Sequence, residues 1–324
     1  MAIDKLKSID PKLKANNDTG FGVITGENAG RFVNKDGTFN LKRVGISFVN
    51  RFSIYQQMLN LPRWKFVGII FLFYFVINVL FTLAYMVAGV SELQGLTCTT
   101  NWGKYKELFF FSCQTFTTVG YGRINPLGDW ANLIAAIEAL TGFLSFALAT
   151  GLIFGRFAKP RSYLMFSNMA LISPYKNITA LTFRFVTYKD NHVLTNVEIK
   201  VNIALKVPED GKDVYKFYDL ALERYKVDSL PLNWTVVHPI DESSPIAGFN
   251  YQDMVNADVE IYVLITGFDA VYSSPVLQRT SYTYQEMKFN AKFVPMYHDS
   301  ADGQTTILEM HKLNQIKILE EKKV

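Results

Sequence analysis

The string Thr117-Thr118-Val119-Gly120-Tyr121-Gly122 limits what this chain can become more than any other stretch of it. Gly120 and Gly122 take φ > 0 without steric cost, so the backbone can change hand from one residue to the next. Successive carbonyls then turn to the same side, and a row of them can replace the water around a cation. The Thr118 hydroxyl adds an oxygen at the inner end, while Val119 and Tyr121 point away and brace the strand against a preceding helix. A six-residue string with two glycines is also what a tight turn looks like, and the surroundings decide between the two.

Those surroundings are apolar on both sides. Phe66 to Val90 contains no charged residue, and at about 1.5 Å per residue it exceeds the roughly 30 Å of a bilayer core. It starts too far along the chain to be a cleaved leader, and Arg63 and Lys65 flank its entry. A second apolar segment, Trp130 to Gly155, carries Glu138 as its single charge. Thr141, Gly142, Ser145, Thr150 and Gly151 make it less hydrophobic, as suits a helix facing protein and a water-filled pore. Between the spans, Tyr105 to Phe116 is aromatic-rich, too short to cross, and runs straight into the glycine string. Such a re-entrant helix needs protein around it to satisfy its ends, and its C-terminal end directs partial negative charge towards a central cavity. A chance turn needs none of this.

Arg51, Arg63 and Lys65 precede the first span, and Arg156, Lys159 and Arg161 follow the second. Positive-inside counting therefore expects both termini in the cytoplasm of a cell (inner) membrane protein, with the intervening loop outside. The sequons at Asn17, Asn177 and Asn233 then lie on the inner side. Cys98 falls in the outer loop and Cys113 in the short helix; Cys113 reads as a small buried apolar residue, and no disulfide is expected. A net charge of +4 on 324 residues, 49% of them hydrophobic, suits a two-domain protein and gives no reason to expect nucleic acid.

Three regions are expected: 1–46, a polar N-terminal segment; 47–160, an interfacial helix and the membrane domain; and 161–324, a β-domain. Gly30 to Gly37 reads as a short strand and turn. Phe48, Phe52, Tyr55, Leu59 and Trp64 recur at helical spacing, as in an amphipathic helix lying at the membrane surface. After Pro160, alternating or β-branched runs at Leu181–Tyr188, Val193–Val207, Thr235–Val237, Val259–Phe268, Ser281–Phe293 and Thr305–Ile318 indicate an antiparallel sandwich. No phosphate loop, metal spacing or nucleophile elbow occurs, so no cofactor and no enzyme activity are expected. His192, His238, His298 and His311 are scattered and read as surface or strand residues.

Together these residues resemble the inward rectifier potassium channel family, in its prokaryotic branch. Beyond the glycine string, the resemblance rests on Arg31-Phe32-Val33-Asn34-Lys35-Asp36-Gly37, on Arg156-Phe157-Ala158-Lys159-Pro160-Arg161, and on Phe166-Ser167 with Ala170. It continues through His238-Pro239-Ile240-Asp241-Glu242-Ser243-Ser244-Pro245, Asn256-Ala257-Asp258-Val259-Glu260 and Ser281-Tyr282 with Glu286. The resemblance implies a homotetramer of two-span pore domains (slide, outer, pore and inner helices) with cytoplasmic immunoglobulin-like sandwiches. It implies passive K⁺ conduction, with K⁺ held by the carbonyls of Thr118, Val119, Gly120 and Tyr121. It places Phe154 at a hydrophobic gate, and Gly142 and Gly151 where the inner helix bends, although close helix packing explains a small residue equally well. Gly267 to Ser274 aligns with a loop that narrows the cytoplasmic entrance, with Phe268 and Tyr272 near the axis.

Departures from the family pattern sharpen these expectations. Pore-lining Phe146 stands where strong rectifiers carry an acid, so weak rectification is expected. Gln114 and Ile124 stand where animal members pair an acid with an arginine, and Arg123 follows the filter, where its charge should oppose cation entry. Trp130 replaces the outer-loop cysteine that would partner Cys98. Arg63, Lys65, Lys159 and Arg161 form a basic collar suited to anionic lipid or phosphoinositide headgroups at roughly 1 kcal/mol per charge, or equally to setting topology alone. Two rivals, a two-span channel with a Rossmann-like sensor and a membrane-anchored adhesion sandwich, lack respectively a GxGxxG loop and a reason for the glycine string.

Overall fold

The computed structural model describes residues 31–47, 50, 53–190, 192–209 and 212–319. The chain divides into two compact units. One runs from Val44 to Lys159; the other combines the N-terminal segment up to Arg43 with the chain from Pro160 onward.

The first unit is helical. Helix α1, Ile54–Asn60, starts where the Ser53 hydroxyl accepts from the Gln56 amide and ends before Pro62, which cannot supply the next amide hydrogen. Trp64 therefore belongs to the following helix rather than to the interfacial one, while Phe48 and Phe52 lie outside the described residues. Helices α2, Arg63–Ala88, and α4, Asp129–Phe157, have 26 and 29 residues and are long and apolar enough to cross a membrane. Between them, α3 spans Asn101–Phe116, four residues earlier than its aromatic run suggests, because the Thr100 hydroxyl caps it by accepting from the Gly103 amide. Strands β1, Leu93–Gln94, and β2, Asn125–Pro126, pair across the outer loop. Glu92 closes the same corner: its carboxylate accepts from the Ala131 amide in the first turn of α4, where negative charge meets the positive helix end.

The second unit is a sandwich of two five-stranded sheets. Its strands are β3 Leu164–Phe166, β4 Ala170–Tyr175, β5 Ile178–Thr187, β6 Leu194–Glu209, β7 Lys212–Asp219, β8 Lys226–Leu230, β9 Trp234–Ile240, β10 Glu260–Asp269, β11 Ser274–Thr283 and β12 Met287–Phe289. One sheet runs β11-β10-β6-β7 with β8 also on β6; the other runs β12-β4-β5-β3 with β9 also on β5. Pairing is antiparallel except where β12 meets β4. Alternate residues face the shared core: Ile199, Val201, Ile203 and Leu205 from β6, Ile261, Val263 and Ile265 from β10, against Leu181, Phe183 and Phe185 of β5. The run Ser281–Phe293 does not form one strand. Thr283 and Glu286 close a capping box around a 3-10 turn, which separates β11 from β12.

The N-terminal segment, set apart at 1–46 by its composition, joins this unit over residues 31–43. Val33 bridges Phe39 across a turn closed by Asn34 and Thr38. Phe32 and Val33 cover Ala204, Tyr215, Phe217 and Tyr262 on the outer face of the β6 sheet. Arg31 donates to Glu286 at 3.0 Å and to the Ser281 carbonyl at 2.8 Å, while Phe32 donates its amide to Glu260. The three motifs around Arg31, Glu260 and Ser281–Glu286 are thus one attachment seen from three places in the chain. The His238 motif is likewise a buckle: the His238 ring lies 2.8 Å from the Ser244 hydroxyl and 2.6 Å from the Ala221 carbonyl, and burial pushes its pKa down. His192 is buried rather than superficial, 3.3 Å from Asp269.

Candidate functional site

The glycine string follows α3 directly. Thr118, Gly120 and Gly122 have φ of 60°, 54° and 80°, and Val119 and Tyr121 between them do not cross to positive φ. The backbone therefore alternates in hand over five residues. The amides on this segment point back to the helix: Thr118 N donates to the Thr115 carbonyl at 3.0 Å, and Val119 N to Gln114 O at 2.9 Å. Among the described residues, no donor within the chain reaches the carbonyls of Thr118, Val119, Gly120 or Tyr121. Unpaired backbone oxygens in an ordered segment require water or a cation as partner. The Val119 and Tyr121 side chains are exposed in the single chain, so the bracing expected for them is not made within one subunit.

Behind the string, α2, α3 and α4 meet around buried polar groups. The Tyr85 hydroxyl donates to Glu138 at 2.6 Å, and Ser112 Oγ contacts the other Glu138 oxygen as well as Asn78 Oδ1 at 3.0 Å. Asn78 Nδ2 donates to the Tyr74 carbonyl at 2.7 Å. These residues carry no pattern at the sequence level; a lone acid in an apolar span is the signal that marks the cluster. Gly142 lies beside it, where an added Cβ would fall 1.9 Å from the Phe116 carbonyl oxygen. Close packing therefore dictates this glycine. Gly151 differs, with open space around it in the single chain, and α4 is continuous past both.

Arg123, directly after the glycine string, carries a charge that has a partner. It pairs with Glu107 on α3, whose carboxylate also accepts from the Thr97 hydroxyl at 2.7 Å and from the Thr97 and Cys98 amides at 3.1 Å. The Thr97 hydroxyl, the Cys98 amide and, to a lesser degree, the Arg123 charge hold this carboxyl well below the ordinary range. Cys98 and Cys113 are both free, and Cys113 is half-buried.

At the other end of α4, Phe146 and Phe154 project from the helix unpacked, 76% and 72% exposed. Arg156, two residues on, is committed: it donates to the Met58 carbonyl at 2.7 Å and to Leu61 at 2.8 Å, with its guanidinium over the Phe66 ring. Lys159 donates to Asn60 Oδ1 at 2.7 Å, and Lys65 lies over the Trp64 ring. Arg63 opens α2 in the same unit, and Arg161 belongs to the other unit. In the β-unit, Gly267 and Phe268 end β10 and Tyr272 occupies the turn to β11. Asp269 holds that turn by accepting from the Val271 amide at 2.9 Å.

Residues 164–323 match the model of the inward rectifier potassium channel C-terminal domain, and residues 69–159 match an ion channel model. The chain is 32% identical over 288 residues to "Inward rectifier potassium channel Kirbac3.1" of Paramagnetospirillum magnetotacticum, covering 88% of this chain and 95% of that one. It is 26% identical over 313 residues to "ATP-sensitive inward rectifier potassium channel 12" of Bos taurus and of Mus musculus, covering 88% of this chain and 72% of theirs.

Proposed function

The chain belongs to the inward rectifier potassium channel family, a non-enzymatic family of membrane channels, and from that premise we propose that Thr118 to Gly122 form its K⁺-selective filter. One observation carries this reading: the alternating backbone hand of Thr118–Gly122, with four successive carbonyls unclaimed inside the chain. One chain supplies a quarter of each carbonyl ring, so four subunits surround the path, and neighbouring subunits supply the packing that Val119 and Tyr121 lack. Phe154 forms the gate, since four large apolar side chains meeting on an axis exclude water and hence ions. Gly267, Phe268 and Tyr272 line a second constriction in a cytoplasmic β-assembly, and both termini are cytoplasmic. With Phe146 in place of an acid, block by internal Mg²⁺ or polyamine is weak. Arg63, Lys65, Lys159 and Arg161 remain the candidates for anionic lipid headgroups.

Flux in reconstituted vesicles tests the assignment. The parent channel passes K⁺ and excludes Na⁺, and Gly120→Ala, which places a Cβ at φ 54°, abolishes selective flux while tetramers still assemble. Unchanged preference for K⁺ in that variant would remove Gly120 from the filter.

A further inference from the structure

The contacts around Glu138 contain one hydrogen fewer than they need. Tyr85, Asn78 and Thr82 of α2, Ser112 of α3 and Glu138 of α4 are all fully buried within one subunit. Tyr85 supplies a hydrogen to one carboxyl oxygen of Glu138. The other oxygen touches Ser112 Oγ, which has one hydrogen and two further claimants: Asn78 Oδ1 at 3.0 Å, and at 3.2 Å the Asn78 carbonyl, which already accepts from the Thr82 hydroxyl. Asn78 cannot be turned round to help, because its amide nitrogen faces the Tyr74 carbonyl, which only accepts. If Glu138 were a carboxylate, Ser112 would have to leave either it or Asn78 Oδ1 without a donor. A buried acceptor without a donor is costly, and a buried carboxylate without a cation more so. Among the described residues no Lys, Arg or His forms an ion pair with Glu138. The other titratable side chains that interact with it are the phenol of Tyr74 from α2 and the thiol of Cys113 from α3.

We propose that Glu138 carries its own hydrogen, donates it to Ser112, and so completes a chain from Tyr85 through Glu138 and Ser112 to Asn78 that fixes the pore helix α3 between both spanning helices. Every donor then has an acceptor: Tyr85 to Glu138, Glu138 to Ser112, Ser112 to Asn78, Asn78 to the Tyr74 carbonyl. Ser112 lies six residues before Thr118, on the helix whose last turn holds the filter amides. Glu138 is thus a positioning residue for the filter, and this role rests on the filter reading above.

Substitution separates this neutral link from a charged one. Glu138→Gln keeps the shape and the donor that Ser112 needs, whereas Glu138→Ala removes the link. The expected result in reconstituted channels is that E138Q keeps K⁺ over Na⁺ preference within about twofold of the parent, while E138A loses about tenfold, as the loss of one buried hydrogen-bonded link would cause. Infrared spectra of the parent should contain a buried carboxylic-acid carbonyl stretch that is missing from E138Q. That comparison stands even if E138A fails to assemble. Absence of the acid band, or loss of selectivity in E138Q comparable to that in E138A, would overturn the proposal; so would an assembled E138A with parental selectivity. A parent channel that did not discriminate K⁺ from Na⁺ would instead overturn the filter assignment, while the infrared result still stood or fell alone.

Discussion

Replacing Gly142 by alanine distinguishes a packing glycine from a bending one. The new methyl carbon would sit 1.9 Å from the Phe116 carbonyl oxygen and 2.8 Å from its carbon, 1.5 Å inside the 3.4 Å at which ordinary contact begins. Both obstacles are backbone, so no rotamer change relieves them, and α3 and α4 must separate. Overpacking of this kind costs up to about 3 kcal/mol. Alanine returns about 1 kcal/mol through its better helix propensity, leaving a net loss of about 2 kcal/mol per subunit and about 8 kcal/mol for four. Phe116 lies two residues before Thr118, so the displacement should also reach the proposed filter and selectivity should fall with stability. Gly151→Ala is the control. With nothing within 4 Å of its Cβ in one subunit, it should gain about 1 kcal/mol in the straight helix and leave selectivity unchanged. Thermal dissociation of detergent-solubilised tetramers, read by size-exclusion chromatography, measures the first quantity, and K⁺ against Na⁺ flux the second. A Gly142→Ala channel as stable and selective as the parent, or a Gly151→Ala channel less stable than Gly142→Ala, would refute the packing assignment.

Phe154→Ala and, more strongly, Phe154→Asp should raise resting K⁺ flux without altering selectivity; flux through both variants equal to the parent's, at unchanged expression and tetramer content, would shift the restriction to Phe268 and Tyr272. Phe146→Asp should convert weak block by internal Mg²⁺ into strong block, since four carboxylates then face the path, and an unchanged block would place the relevant site elsewhere. Glu107→Gln leaves Arg123 without its partner, so inward K⁺ current should drop severalfold near 0.01 M ionic strength, where charges act over roughly 30 Å, and little near 1 M, where they act over about 3 Å. A drop independent of salt would indicate distortion rather than charge.

The two long apolar helices, the short helix between them and the alternating backbone of Thr118–Gly122 were legible because each is written in consecutive residues: length, apolarity and a fixed glycine spacing. The long core strands β5, β6 and β10 followed from alternation. Strands β3, β4, β7 and β8 escaped, being short or interrupted by charges, as in Lys212-Asp213-Val214-Tyr215-Lys216. The break inside Ser281–Phe293 was readable in principle, since Thr283-Tyr284-Gln285-Glu286 has the Thr-x-x-Glu spacing of a capping box. Arg123 with Glu107, and Glu138 with Ser112 and Tyr85, could not be read at all. Sixteen residues separate the first pair, and the second cluster draws on three helices. Their partners are chosen by packing, which no local pattern encodes. Gly142 was ambiguous for the same reason: a glycine that bends and a glycine that yields space are spelled alike.

Arg156 fixes an order of events during synthesis. The carbonyls of Met58 and Leu61 at the end of α1 receive their hydrogens from a side chain 98 and 95 positions later. When α1 leaves the ribosome, that arginine has not yet been made, and α1 has seven residues, too few to hold helical form alone. Water must serve those carbonyls until α2, the loop, α3 and α4 have been translated. Only then can the guanidinium displace it. Among the described residues, the short helix α1 is made early and finished last, and a nascent chain stalled before residue 156 would carry both a completed α2 and an unsettled α1.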